Sequence, residues 1–570
     1  MGFLSSLGFV TLLSSSISSV SASGYGQQAP TARIDVGLVV GTTTSLPAAT
    51  ATVNKFLGIP FAQTPPERFS PPQAAPRARQ PINATAWKPA CIQQFQYPLA
   101  SQEFTEAVFN NPPPQESEDC LYLNVYAPST PAAGKGRAVL FWIYGGSLQF
   151  GNAGQQYYDG SAFASYEDVI VVSTNYRTNV FGFPSSPELP VTGHNLGFLD
   201  QRFALDWVQR NIHAFGGDPS QVTIFGESAG AFSVDALLTS FPKGSSPPFR
   251  AAILQSGQYS YRVSPTTSSV PAWYNLTAEL GCPGTYSSNL TCVRAANATT
   301  IQTIIDVNEL TFNPTPDNVT LVAHPAQQRL SGNIAYVPVM GGTNTQEGRV
   351  FTVGQTNVTA YLQTYFGSNS ALISAVEAAY PLGSLGLNSA YDINSQFMTE
   401  YFFQCPQALW ANATASIGIP AWRYLFNASF PNTQGYPNLG VYHSSEIPIV
   451  FGTYPRPNTT TQEYALSQFM QHAWAKFAKN PAGGPGWNAV GTGAPGAVLV
   501  GAYEQQPGGY YLDANANVTT GSWDLGLLGN AGDAMGSGVT VIPQAEVDGR
   551  CALFAPVYQA ILGSTVAPSS

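Results

Sequence analysis

Charge is scarce in this chain. Lys, Arg, Asp and Glu together make up 9% of its 570 residues, far below the quarter usual in soluble proteins, so neutral polar groups must solvate most of the surface. The formal charge is −10 and no run of Lys or Arg occurs, which argues against nucleic acid or an anionic membrane as partner. Histidine is rarer still, with five scattered copies, and neither Cys-x-x-Cys nor His-Glu-x-x-His is present; the spacing that zinc sites use is missing, so no metal is expected. No apolar run approaches the ~20 residues that a bilayer-spanning helix needs.

What the chain does have is apolar mass and breakers of regular structure. Hydrophobic residues account for 44%, beside 54 Gly and 45 Pro, the composition of a loop-rich globule with a large core. Residues 1–22, MGFLSSLGFVTLLSSSISSVSA, hold a short apolar stretch ending in small residues, with Val20-Ser21-Ala22 before Ser23 as a cleavage site. They read as a secretory signal, leaving 23–570 as one domain. Asn83, Asn275, Asn289, Asn297, Asn318, Asn357, Asn412, Asn427, Asn458 and Asn517 each open an Asn-x-Ser/Thr triplet, as expected of an exported glycoprotein. The six cysteines, Cys91, Cys120, Cys282, Cys292, Cys405 and Cys551, favour disulfides in that setting. Their number alone permits fifteen pairings.

Apolar runs suited to buried strands recur at 137–144, 169–176, 222–225, 251–257, 336–342 and 421–426, with amphipathic stretches between several of them. In 199–212, Leu199, Phe203, Leu205, Trp207 and Ile212 favour one helical side. Strand and helix in alternation imply an α/β fold, a mainly parallel sheet covered on both faces. Two Pro/Gly-rich pieces, 127–136 and 483–496, read as surface loops. The second has the glycines of a phosphate-binding loop but no lysine, and that reading fails.

One short stretch carries chemistry. In IFGESAGAF (224–232), Ser228 stands between Gly226 and Gly230, after the strand-like VTIF and before a helical pattern. Strand, sharp turn and helix in succession present the serine side chain above the strand end. The motif alone is weak in a glycine-rich chain, so partners decide. A serine hydroxyl needs an imidazole to take its proton and a carboxylate to orient that imidazole, in chain order Ser, Asp/Glu, His. His194 and His213 precede the serine, His324 leaves few acids between, and His472 lies within a helical pattern. His443, in GVYHSSEIP, remains. Of nine carboxylates between Ser228 and His443, Glu347 stands out because the apolar run YVPVMGG feeds directly into TNTQEG, placing it in a turn at a strand end. FWIYGGSLQFG (141–151) supplies a glycine turn after another strand. Gly146 and Ser147 there, with Ala229 after the serine, are candidate backbone donors to an oxyanion.

Taken together, EDCLYLNVYAP (118–128), WIYGGSLQFG, NYRTNVFGF (175–183), the run from Gly193 through Gly230, TNTQEG and GVYHSSEI resemble the type B carboxylesterase/lipase family. These are α/β-hydrolases that include cholinesterases and a group of secreted fungal lipases, and the resemblance extends over most of the chain. It implies the α/β-hydrolase fold, a secreted carboxylic-ester hydrolase needing no cofactor, and Ser228 as nucleophile, Glu347 as orienting acid and His443 as base. It further implies disulfides Cys91 to Cys120, Cys282 to Cys292 and Cys405 to Cys551, and structural ion pairs Arg68 with Glu118 and Arg177 with Asp200. Two departures bear on specificity. Ser147 replaces the family's third oxyanion-loop glycine, and the loop between Cys91 and Cys120 has no tryptophan, the residue on which cholinesterases stack the choline cation. Alternatives that the resemblance leaves open are a lipase or sterol esterase, whose lid is that same loop, and a catalytically inactive adhesion or binding protein of the cholinesterase type.

Overall fold

A computed structural model describes residues 29–95, 98–262, 268–282, 289–384, 386–491, 523–529 and 538–563. The leader-like segment 1–22, Asn517 and the end of the loop 483–496 lie outside the described residues. Near the N-terminus β1 (Thr31–Ile34), β2 (Gly37–Val40) and β5 (Ile82–Asn83) form a small three-stranded sheet.

Among the described residues the other eleven strands make one sheet. In chain order they are β3 (Thr42–Thr44), β4 (Val53–Pro60), β6 (Tyr122–Pro128), β7 (Arg137–Ile143), β8 (Ile170–Thr174), β9 (Gly217–Glu227), β10 (Ala251–Gln255), β11 (Val339–Asn344), β12 (Ala421–Phe426), β13 (Trp523–Leu528) and β14 (Val539–Pro543). Their spatial order is β14-β13-β12-β11-β10-β9-β7-β8-β6-β4-β3. Every pairing from β8 across to β13 is parallel, and antiparallel strands flank that block on both sides. This is the expected α/β-hydrolase architecture. Parallel strands sandwiched between helices read as continuous apolar runs, and β7, β8, β10 and β12 are buried at every residue. The antiparallel flank is less legible in the sequence: β4 mixes buried and partly exposed residues and carries Gly58, and β6, though buried beyond Tyr122, includes Asn124 and ends in Pro128.

The helix over 196–211 buries Leu196, Phe198, Ala204, Leu205, Trp207 and Val208. Leu199 and Phe203 of the predicted stripe are only partly covered. The periodicity located the helix, while packing against β9 and the turn at Phe215 selected its inner face. Residues 483–491 are not a plain surface loop. Trp487 is 7% exposed, donates from Nε1 to the carbonyl of Arg423 and rests against Gly526 of β13, where its ring fills the space a side chain would occupy.

Three disulfides close the frame: Cys91 to Cys120, Cys282 to Cys292 and Cys405 to Cys551, with Cα separations of 4.9, 5.8 and 5.3 Å. Arg177 and Asp200 form a buried bidentate pair at 2.8 and 2.7 Å. Arg68 clasps Glu118 and also donates to the carbonyls of Val293, Arg294 and Ala296, tying the first disulfide loop to the segment 293–296. Of the glycosylation triplets within the described residues, those at 83, 275, 297, 318, 357, 412 and 458 are exposed, that at 427 is half-buried, and Asn289 is buried.

Candidate active site

Strand β9 ends at Glu227, and the chain turns at Ser228 into the helix Ala229–Ser240. Ser228 has φ 55° and ψ −120°, a strained backbone for any residue with a side chain. The flanking glycines explain why the turn is possible. A Cβ at Gly230 would sit 2.0 Å from the carbonyl oxygen of Ile143, and one at Gly226 would sit 2.7 Å from the same oxygen. The elbow therefore packs backbone against backbone, and a methyl group at either position collides with β7.

Glu347 lies just past β11, on the turn Glu347–Val350. Its Oε1 accepts the N–H of Asn344 at 2.6 Å, and its Oε2 lies 2.6 Å from Nδ1 of His443. His443 sits on the connection that follows β12. Two further bonds brace the loops carrying these residues: Gln346 N–H to the carbonyl of Val441 at 3.1 Å, and Asn344 Nδ2 to the carbonyl of Tyr442 at 2.8 Å. The imidazole is flanked by the rings of Phe351 and Phe403, with centroids 5.0 and 4.9 Å away. Phe403 is delivered by a π-helical segment, Thr399–Gln404, whose Thr399 hydroxyl also accepts the N–H of Gly348, so a single irregular turn supports both imidazole and carboxylate.

Nε2 of His443 is buried and has no hydrogen-bond partner among the described residues. His443 and Ser228 line the same cavity, a space of about 250 Å³ bounded also by Gly146, Ser147, Phe150, Phe351 and Tyr442. Gly146, Ser147 and Leu148 all have positive φ (98°, 57° and 61°), which makes a tight loop whose Gly146 carbonyl accepts from Gln149 and Phe150. The amide of Ala229 opens its helix, and amides in a first turn have no partner within the helix. The hydroxyl-bearing Ser147 is exposed to the cavity. His472 lies on the helix Thr461–Lys479, exposed and 3.1 Å from Glu167, away from the cavity lining.

Sequence reasoning missed two carboxylates. Glu227 and Glu446 are buried beside the imidazole: Oε1 of Glu227 lies 3.1 Å from Nε2 of His443, and Glu446 accepts from Gln255 and from Asn344 Nδ2 at 3.0 and 2.7 Å. In the sequence the first looks like a spacer of the Gly-x-Ser-x-Gly motif and the second like an ordinary acid before a helix. Their one signal is position, each within three residues of a candidate. Burial pushes the Glu227 carboxyl up to about 8, with Glu446 and Glu347 adding to the rise and His443 and the Ser444 hydroxyl opposing it. Burial raises Glu446 as well. For His443, burial alone would lower the pKa, but Glu227, Glu347 and Glu446 outweigh it and hold the imidazole up at about 9. The imidazole of His443 and the carboxyl of Glu227 therefore titrate as a unit.

Helix α1 (Leu99–Phe109), within the loop closed by Cys91 and Cys120, covers the cavity. Phe104, Val108 and Phe109 pack against Val350, Leu439 and Tyr442, Phe104 meets Tyr436 edge to face at 4.9 Å, and Ala107 to Phe109 contribute to the lining.

Comparison with known proteins points one way. The model of the carboxylesterase family matches residues 28–506. An acetylcholinesterase from Bungarus fasciatus is 34% identical over 482 residues, covering 76% of each chain. A para-nitrobenzyl esterase from Bacillus subtilis (strain 168) is 34% identical over 464 residues, covering 77% of this chain and 88% of its own. Carboxylesterase 5A from Canis lupus familiaris is 32% identical over 531 residues, with coverages of 87% and 88%.

Proposed function

The chain belongs to the carboxylesterase family and is a carboxylic-ester hydrolase, and we propose that it works through a Ser228-Glu347-His443 triad and an acyl-enzyme. The observation that carries this is the placement of His443: Nδ1 is held by a buried carboxylate, Nε2 makes no hydrogen bond among the described residues, and the residue lines the same cavity as Ser228. Nε2 takes the hydroxyl proton as Oγ bonds to the ester carbonyl carbon, and the developing oxyanion lies against the amides of Gly146, Ser147 and Ala229. The resulting imidazolium gives its proton to the departing alkoxide as the carbon–oxygen bond breaks. Water then attacks the acyl-enzyme, its proton passing by way of His443 back to Ser228. Every step is carried by groups of this chain.

Export and domain organisation belong to the same reading: residues 1–22 as a leader and 23–570 as one domain. Three disulfides support passage through an oxidising compartment, as do the exposed glycosylation triplets, and one continuous eleven-stranded sheet whose main apolar cluster draws on residues from Ala32 to Leu528 supports one domain. Among the described residues no helix is long and apolar enough to cross a membrane.

A cavity of about 250 Å³ falls below the usual ~300–1,000 Å³ of ligand pockets, which favours short esters while α1 stays in place. The loop between Cys91 and Cys120 lacks the tryptophan expected for a choline cation, so general carboxylic esters are the better substrate class. A second reading, a lipase or sterol esterase, draws support from α1: it is amphipathic and covers the cavity, so its displacement would admit longer chains. A rate that jumps when substrate passes from monomer to emulsion favours that reading.

The deciding experiment is Ser228→Ala assayed on a short aryl ester, together with fluorophosphonate labelling of the unaltered protein. Loss of turnover with an unchanged fold, and label found on Ser228, support the triad. Full activity in the variant refutes it, and an unlabelled, inactive protein points to an adhesion role.

A further inference from the structure

Ser444 follows the imidazole directly, and two observations set it apart. Its φ is 73°, in the left-handed region where a side chain is strained and glycine is favoured. Its hydroxyl donates to Oε1 of Glu227 at 2.6 Å. That same oxygen is the one lying 3.1 Å from Nε2 of His443. Oε1 thus has two candidate donors, a hydroxyl that reaches it now and an imidazolium N–H that would face it once His443 has taken the proton of Ser228.

The second donor is a hazard for turnover. Hydrogen bonds between ionised partners are about twice as strong as neutral ones, and burial strengthens them further. An imidazolium captured by Glu227 would withhold its proton from the departing alkoxide.

We infer that Ser444 is a positioning residue: its hydroxyl donates to Oε1 of Glu227 and so weakens that oxygen's hold on Nε2 of His443, which exchanges protons with Ser228 and the leaving group. Ser444 acts through Glu227, and the inference rests on the triad reading. It also accounts for the strained backbone, since glycine would suit the φ but could not supply the hydroxyl. The other ionisable groups whose charge reaches Glu227 are Glu347, Glu446 and the phenols of Tyr158, Tyr176 and Tyr424. None is a cation, which leaves His443 as the group that gains when Ser444 lets go.

Without the hydroxyl, Glu227 and His443 share a proton more tightly, whichever atom carries it, and the proton-free cluster that can act as base forms only at higher pH. The test is the pH profile of kcat/KM on a short aryl ester for the unaltered protein, Ser444→Gly, Ser444→Ala, Glu227→Gln and the double variant Glu227→Gln with Ser444→Gly. Ser444→Gly relieves the backbone strain and so keeps the fold. We expect its acid limb, and that of Ser444→Ala, to move up by about one pH unit, the scale of a hydrogen bond to a charged group. In the Glu227→Gln background the same change at 444 moves nothing. Acid limbs in both Ser444 variants that overlay the original overturn the inference, as does a shift that persists without the Glu227 carboxylate. Should Ser228→Ala keep full activity, the triad reading fails and takes this inference with it. If Ser228→Ala is inactive and the limbs overlay, the role of Ser444 alone is wrong.

Discussion

Nδ1 of His443 and Oε2 of Glu347 are 2.6 Å apart, and neither side chain is open to solvent. The other carboxylate oxygen is engaged by the amide of Asn344, so Glu347 cannot swing away. Glu347→Gln preserves shape but puts an NH2 group where one of two acceptors is required: either Asn344 loses its acceptor or Nδ1–H does, and the imidazole flips to the tautomer that cannot serve Ser228. The expected loss in kcat is on the order of 10⁴-fold, by analogy with the same change in a protease triad. Steady-state kinetics with circular dichroism as the check on folding measures it, and a loss below tenfold counts against Glu347.

The pH dependence of activity and of stability should run in opposite directions. His443 must be neutral to accept a proton, and its pKa is held above the ordinary 6.5 by Glu227, Glu347 and Glu446. The acid limb of kcat/KM therefore has its midpoint above 6.5. Stability has the reverse sign. A histidine whose folded pKa is raised contributes stability that is complete below the unfolded value and is lost as pH rises through the folded one. The raised Glu227 carboxyl adds in the same sense, because ionising it in the folded state is unfavourable. Melting temperature should decline between pH 6.5 and 9 while turnover climbs, and Glu227→Gln should lower the acid-limb midpoint. An acid limb at or below 6.5 contradicts the charge assignment.

The three disulfides should contribute unequally. Loop closure over 146 residues for Cys405 to Cys551 corresponds to about 5 kcal/mol, against about 3 kcal/mol for the 10-residue separation of Cys282 to Cys292. Paired replacement by alanine, followed by denaturant unfolding, should give the larger fall for the long bridge. Equal falls would mean that strain or denatured-state structure outweighs chain entropy here.

The clasp over the cavity should set chain-length preference. Phe104→Ala removes the edge-to-face contact with Tyr436 and part of the packing on Leu439 and Tyr442. It should cost the closed position of α1 about 1 kcal/mol and raise activity on decanoyl relative to butyryl aryl esters by severalfold. An unchanged ratio across the ester series would show that α1 does not limit access.

The central sheet and the three triad candidates could be read from sequence because each answers to a local rule. Buried parallel strands such as β7 and β12 are unbroken apolar runs, Ser228 is marked by two glycines that must touch β7, and Glu347 by a strand passing directly into a turn. The acids Glu227 and Glu446 could not be read, because what matters about them is burial beside His443, and that depends on residues 102 to 217 positions away in the chain. Trp487 misled for the same reason: a Pro/Gly-rich segment looks solvent-facing until β13 supplies a glycine for its ring to cover. Ser444 shows no role in the sequence, because its partner Glu227 lies across the site and far off in the chain.

Ser228, Glu347 and His443 lie on connections beyond β9, β11 and β12, and β12 is sheltered by β13, which follows residue 522. If these three form the triad, a growing polypeptide holds its serine well before the base at position 443 has been added. On the triad reading, the capacity to cleave esters appears only once the connection beyond β12 has been made and folded against the elbow at Ser228.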